Sequence, residues 1–219
     1  MKKLILFGKG SYAQIAKDYF NNDSDYKVVA FTLDKEYIDD DNYEGLPMVA
    51  FENLETTYPP SEYYIHIALS YTEMNKLRAK KHKEAKLKGY TLPSYVSSKC
   101  SYMSKIQCGD NCFIFEDNTI QPYVKIGDNV ILWSGNHIGH HSEIKSNNFI
   151  SSHVVISGKC VIEEHCFLGV NSSIAHGVTI APETLLGAGV SISKNTDEKG
   201  VYVSARTVKL DKKSDEVSL

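Results

Sequence analysis

The chain has 219 residues, 42% of them hydrophobic, and a formal net charge of −3. This leaves room for one large or two small units, and no overall charge favours nucleic acid. No run of about 18 apolar residues occurs, so membrane insertion is not expected. The opening MKKLILFGKG has an apolar run that stops at Gly8, too short for a signal peptide. A first strand is expected over residues 3–7. A helix follows over 12–21, with Ile15, Ala16, Tyr19 and Phe20 on one face. Further strands are expected over 27–32, ending near Asp34, and over 63–69, ending at Ser70. A second helix over 72–88 is closed by Gly89, and a last short strand runs over 90–93.

This order predicts a small α/β, Rossmann-like domain over residues 1–93, with a doubly wound parallel sheet. Ligands in such sheets sit at the carboxyl ends of the strands, where Gly8-Lys9-Gly10-Ser11, Asp34 and Ser70 fall. The glycines admit close backbone approach, and the helix N-terminus favours an anion such as a diphosphate. Ala13 stands where GxGxxG would have its third glycine, so a ligand-free tight turn remains the alternative. The acidic stretch 34–44 reads as an exposed loop. The stretch 76–88 carries seven Lys or Arg and one Glu. Its ordinary reading is a solvated helix face; its functional reading is attraction of an anionic substrate. The five cysteines include no CxxC pair and read mostly as small core fillers in a reducing compartment, the cytoplasm.

From Val96 the chain changes character. Counting in sixes from Ile126 gives Leu132, Ile138, Ile144, Ile150, Ile156, Ile162, Leu168, Ile174, Ile180, Leu186 and Ile192. Backwards, the count meets Ile120, Ile114 and the weaker members Cys108, Tyr102 and Val96. Neither the helix period of 3.6 nor the strand period of 2 predicts this. It marks an array of units, each too small to bury its own aliphatic side chain. The fifth place is often small or β-branched, as at Val124, Ser142, Cys160 and Thr184.

The pattern resembles the hexapeptide-repeat proteins. That resemblance implies a left-handed parallel β-helix over residues 94–205, with three hexads per 18-residue coil, followed by a tail over 206–219. At about 4.8 Å per stacked strand the prism is roughly 25–30 Å tall. Joined to the N-terminal unit, the whole chain is similar to bacterial sugar acyltransferases of the PglD and sialic acid O-acetyltransferase type. The residues that carry this are the FGKGS turn, IQPYV (120–124), CFLGVNS (166–172) and KNTDEKGVYV (194–203).

The resemblance implies an acetyl-CoA-dependent N-acetyltransferase of a nucleotide-linked amino sugar, serving surface polysaccharide or glycan biosynthesis, with no metal. It implies a homotrimer whose active site is shared between subunits. The family's base is a His two places after a hexad aliphatic, which falls on His140 of Ile138-Gly139-His140-His141. An attacking amine or hydroxyl must lose a proton, and imidazole titrates near working pH. His141 stands where the family often has a carboxylate, and is the alternative base. Nucleotide-sugar contacts fall on Gly10, Ser11, Tyr12, Asp34 and Ser70. Gln121, Pro122 and Tyr123, one coil below His140, are expected at the sugar end of the pocket. Coenzyme positions fall on Phe149, where the family has a His, and on Val170 and Ala188; His153 is the expected substitute for the missing His.

Three other readings compete. One is O-acetylation of a sugar such as sialic acid. Another is zinc-dependent, carbonic-anhydrase-like hydration: His140 and His176 share a column, but two coils separate them by about 9–10 Å. The third is a non-catalytic scaffold.

Overall fold

A computed structural model of the chain describes residues 1–205, 207–209, 211, 213 and 214. Of the expected tail 206–219, residues 206, 210, 212 and 215–219 lie outside the described residues.

The N-terminal unit is built on β1 (Lys2–Phe7), β2 (Tyr26–Leu33), β3 (Asn42–Tyr43), β4 (Leu46–Ala50) and β5 (Tyr63–Ile67), in the spatial order β3-β4-β2-β1-β5. All pairings are parallel except that of β3 with β4. The helices are α1 (Ser11–Asn22), the one-turn α2 (Leu54–Thr57) and α3 (Lys76–Leu87). The β1 side chains from Leu4 to Phe7 are all buried, as a strand covered on both faces requires.

Four details differ from the sequence expectation. Residues 90–93 form no strand, although Thr91 accepts one bond from the Ile65 N–H (3.2 Å). Pro93 has no N–H to give a ladder, and its carbonyl is taken by His66 Nδ1 at 3.0 Å. The acidic stretch is not simply an exposed loop. Its end forms β3, and Gln14 and Lys17 of α1 bond Glu44. Strand β4 follows and extends the sheet beside β2. Helix α3 begins at Lys76 rather than 72, because Glu73, Met74 and Asn75 take left-handed φ values of 53°, 51° and 67°.

The second unit is a three-faced prism of two-residue strands in parallel ladders. Paired residues are 18 apart, as in Ile114↔Leu132↔Ile150↔Leu168↔Leu186. We term this ladder the first face; Ile120, Ile138, Ile156 and Ile174 mark the second, and Ile126, Ile144, Ile162 and Ile180 the third. The hexad aliphatics fill the prism, and the fifth-place residues Val124, Val154, Cys160 and Thr184 are buried with them. The count holds to Ile192; the last turn is shorter, pairing Leu186 with Tyr202. Left-handed residues recur at the corners, including Asn111, Asp117, Tyr123, Asn129, His141, Asn147, His153 and His165. Asn, Asp and His are enriched in that conformation.

The first face points Phe113, Ile131, Phe149 and Phe167 outward, and these pack into the core of the N-terminal unit. Each fully buried side chain of this size contributes roughly 1.5–3 kcal/mol. Helix α3 is not a solvated face. Arg78 is 1% exposed and bonds Leu69 and Ser70 carbonyls on one side and Asn129 and Asn148 of the prism on the other. His82 and Lys86 bond Asp110, and Lys76 bonds Glu183. The basic run is therefore largely an intramolecular clasp. The five cysteines are free, three of them buried.

His66 is 1% exposed under Phe20 and Phe113. Burial lowers its pKa from 6.5 to about 4. The unfolded chain therefore binds the extra proton first as pH falls from 6.5, and stability drops until about pH 4. The loss is on the order of 3 kcal/mol. Thermal midpoints measured over this window should fall with acid in the wild type and fall less in His66→Leu.

Candidate active site

Two separate groups of the expected residues take shape. The first is at the strand ends of the N-terminal unit. Gly8 and Gly10 both have positive φ, 144° and 106°, and a Cβ on Gly8 would stand 2.5 Å from the Ala68 carbonyl oxygen. Only glycine fits there, so β1 can pass directly into α1. Gly10 N–H donates to Tyr43 Oη at 2.8 Å, and Lys9 pairs with Asp39. The first N–H groups of α1, from Ser11 onward, lack intrahelical partners and face this turn. Tyr12 departs from its expected role in one respect: its side chain is buried against Phe113 and Trp133, on the α1 face that also holds Ala16 and Phe20. It offers only its backbone N–H to the turn.

Asp34 lies in a cleft of about 970 Å³ with Glu36, Phe51, Glu52, Lys81 and Lys88. Lys81, missed in the sequence, bonds Asp34 at 2.7 Å and Glu84 at 2.7 Å. Burial opposes its charge, but the hydrogen bonds to these carboxylates outweigh that and raise its pKa. Ser70 is half-buried, its carbonyl held by Arg78. The next residue, Tyr71, packs edge-on against Phe149 and Phe167, with centroids at 5.0 and 5.1 Å. Phe149 is thereby enclosed between the two units and 4% exposed. It pairs with Ile131 on one side and Phe167 on the other, along the apolar first face. That place gives it a packing role between the two units.

The second group lies at the corner between the second and third faces. His140 and His141 are exposed. Gln121 Oε1 accepts the His140 N–H at 2.9 Å, and Pro122 O accepts the His141 N–H at 3.3 Å. The two imidazoles meet Nδ1 to Nδ1 at 3.0 Å. The Tyr123 ring lies beside that of His141, centroids 4.6 Å apart. These five residues are thus brought together as expected. Gly158, one coil above, was not foreseen. A Cβ there would lie 2.8 Å from His140 Nε2, so glycine makes room for the ring. Gly139 is similarly required, since its Cβ would stand 2.5 Å from Gly158 N. Adding 18 to 140 in the sequence points to Gly158. The ring of His140 leans toward His176 with centroids 6.3 Å apart, closer than two stacked coils imply, because Gly158 leaves the space between them.

His153, Val170 and Ala188 occupy a different corner, between the first and second faces. The His153 ring rests on Gly135, where a Cβ would meet it at 2.5 Å. Val170 is 40% exposed, and the carbonyl of Ala188 accepts from Ser204 Oγ.

The edge that carries His140 is opposite the first face, on which the chain's own N-terminal unit is seated. One chain therefore does not bring Gly10, Asp34 and Ser70 to His140.

No curated protein sequence matches the chain. Residues 123–158 and 159–194 match the family described as bacterial transferase hexapeptide (six repeats). Among solved structures, perosamine N-acetyltransferase from Caulobacter crescentus, as a variant in complex with CoA and GDP-perosamine, is 18% identical with a TM-score of 0.84. That match covers 93% of this chain and 94% of that one. The acetyltransferase domain of PglB from Neisseria gonorrhoeae is 17% identical, with a TM-score of 0.80 and coverage of 93% and 97%. WeeI from Acinetobacter baumannii is 14% identical, with a TM-score of 0.79 and the same coverage. Residues 123–194 thus carry the bacterial transferase hexapeptide repeat, on a two-unit fold that nearly the whole chain shares with these structures.

Proposed function

We propose that the chain is an acetyl-CoA-dependent N-acetyltransferase acting on a nucleotide-linked amino sugar. The observation that carries the proposal is His140: an exposed imidazole at a prism corner, seated on Gly158, with its Nδ1 engaged and its Nε2 without a protein hydrogen-bond partner among the described residues. The fold adds support, since the Caulobacter protein of the same fold is an N-acetyltransferase held with CoA and GDP-perosamine.

In this reading residues 1–93 are a Rossmann-like domain that holds the nucleotide sugar. The diphosphate meets the Gly10 turn and the N–H groups of Ser11 and Tyr12, while Asp34 and Ser70 border the nucleoside. Residues 94–205 carry the transfer. Acetyl-CoA lies in the groove between two prisms, against His153, Val170 and Ala188 of one chain, with its thioester at the His140 corner of the neighbouring chain. The sugar amine attacks the thioester carbonyl carbon, so a C–N bond forms and the C–S bond breaks. The proton lost by the amine passes to His140 Nε2 and then to the departing CoA sulfur. Gln121, Pro122 and Tyr123 border the sugar.

The opposed placement of cleft and corner calls for a second copy. We assign a homotrimer in which the N-terminal unit of one chain serves the His140 corner of its neighbour. Five free cysteines suit the cytoplasm, where acetyl-CoA is available.

The test is thiol release from acetyl-CoA over a panel of nucleotide-linked amino sugars. Release is expected with an amino sugar, with the acetyl group found on its nitrogen. Acetylation of a hydroxyl, or no release with any acceptor, would overturn the reading.

A further inference from the structure

We infer that His141 sets the tautomer of His140, as a neutral acceptor in a place where a carboxylate would ordinarily do this. The inference deepens the transfer reading above and rests on it for the direction of one hydrogen bond.

The two Nδ1 atoms are 3.0 Å apart, so one carries a proton and the other a lone pair. If His141 donated, the proton of neutral His140 would sit on Nε2, and the ring would have no basic atom facing an acceptor. With His140 donating, its Nε2 is free to take the proton of the attacking amine. His141 then carries its own proton on Nε2, toward solvent.

His141 is well held for this task. It occupies a left-handed corner, φ 60°, its N–H is fixed by Pro122 O at 3.3 Å, and its ring rests beside that of Tyr123. The charged groups around the pair do not supply a substitute. Lys159 follows Gly158 on the coil above, Lys125 lies on the coil below, and Glu143 is paired with Lys145 at 2.8 Å. Among the described residues no carboxylate bonds either ring. His176 stands beyond Gly158, in ring contact with His140 but not hydrogen-bonded to it.

A neutral acceptor behaves differently from a carboxylate. It orients the base without adding negative charge. His141 is therefore a positioning residue.

The test is two-bond ¹H–¹⁵N correlation on protein labelled with ¹⁵N-histidine, with both rings neutral. Wild type should show His140 protonated on Nδ1 and His141 on Nε2. In His141→Ala, His140 should shift to the Nε2–H form, and acetyl transfer should fall about tenfold or more. His141→Asn suits the left-handed corner and places an amide oxygen where Nδ1 stood. It should keep His140 on Nδ1–H and keep most of the activity. Wild-type His140 protonated on Nε2 overturns the inference, as does a His140 tautomer unchanged in His141→Ala. If the alanine variant does not fold, an Nε2–H form in His141→Asn overturns it as well. The spectra read protonation without turnover, so failure here is separate from failure of the transfer reading.

Discussion

His140→Asn should lower kcat by about 10²- to 10⁴-fold, the range for loss of a general base. The ring's neighbours make the change local. Gly158 accepts the smaller side chain without a clash, and the His140 N–H keeps its bond to Gln121, which is a backbone contact. Folding should be unaffected, and KM for both substrates should move little, since proton transfer acts in the transition state rather than in binding. Steady-state kinetics of thiol release, with a melting curve on the same sample, checks both points. An unchanged kcat would remove His140 from the chemistry.

Arg78→Met should destabilise the protein by about 3 kcal/mol or more, because several buried carbonyl acceptors lose their donor, at about 1–3 kcal/mol each. Its guanidinium joins Ser70 and Leu69 to Asn129 and Asn148, across the junction of the two units. Burial lowers its pKa from 12.5 to about 10, still well above neutrality, so it remains charged. Arg78→Lys should recover little, because an ammonium cannot span acceptors arranged around a planar fork. Chemical denaturation should show this loss. A second signature is weaker nucleotide-sugar binding in the folded fraction, because Ser70 follows the strand end that Arg78 braces.

The prism was legible in the sequence because its period is written in side chains that have no alternative environment. Ile or Leu every sixth residue fixes the coil, and every column from Ile114 to Ile192 falls where the count places it. The residue just before each aliphatic also carried information that the count passed over. On the first face it reads Tyr95, Phe113, Ile131, Phe149, Phe167, whereas the second reads Ser101, Thr119, His137, Val155, Ser173. Only the first is apolar throughout, and it is the face covered by the N-terminal unit. That contrast accounts for the packing of Phe149 between the two units. The corners held a further signal: His141, His153 and His165 recur at left-handed positions that otherwise often hold Asn, Asp or Gly. A histidine there has a conformational reason to occur, whereas His140 precedes that position and has none. The engagement of α3 could not be read, since a run of Lys and Arg looks alike whether its partners are water or the carboxylates and carbonyls of a distant coil. The same holds for Lys81 and Asp34, 47 residues apart.

The proposed transfer needs a site built from two copies, because His140 and the strand-end cleft face opposite sides of one chain. Two inactive variants test this. His140→Asn removes the base and leaves the cleft intact. Gly10→Val places a side chain at the α1 N-terminus, where φ is 106° and open space surrounds the missing Cβ, and leaves the corner intact. Each alone should be nearly inert. When the two are unfolded together and reassembled in equal amounts, random assortment in a ring should restore about a quarter of the wild-type rate. Mixed oligomers that form and remain inactive would place cleft and base within a single chain, and would contradict the shared site.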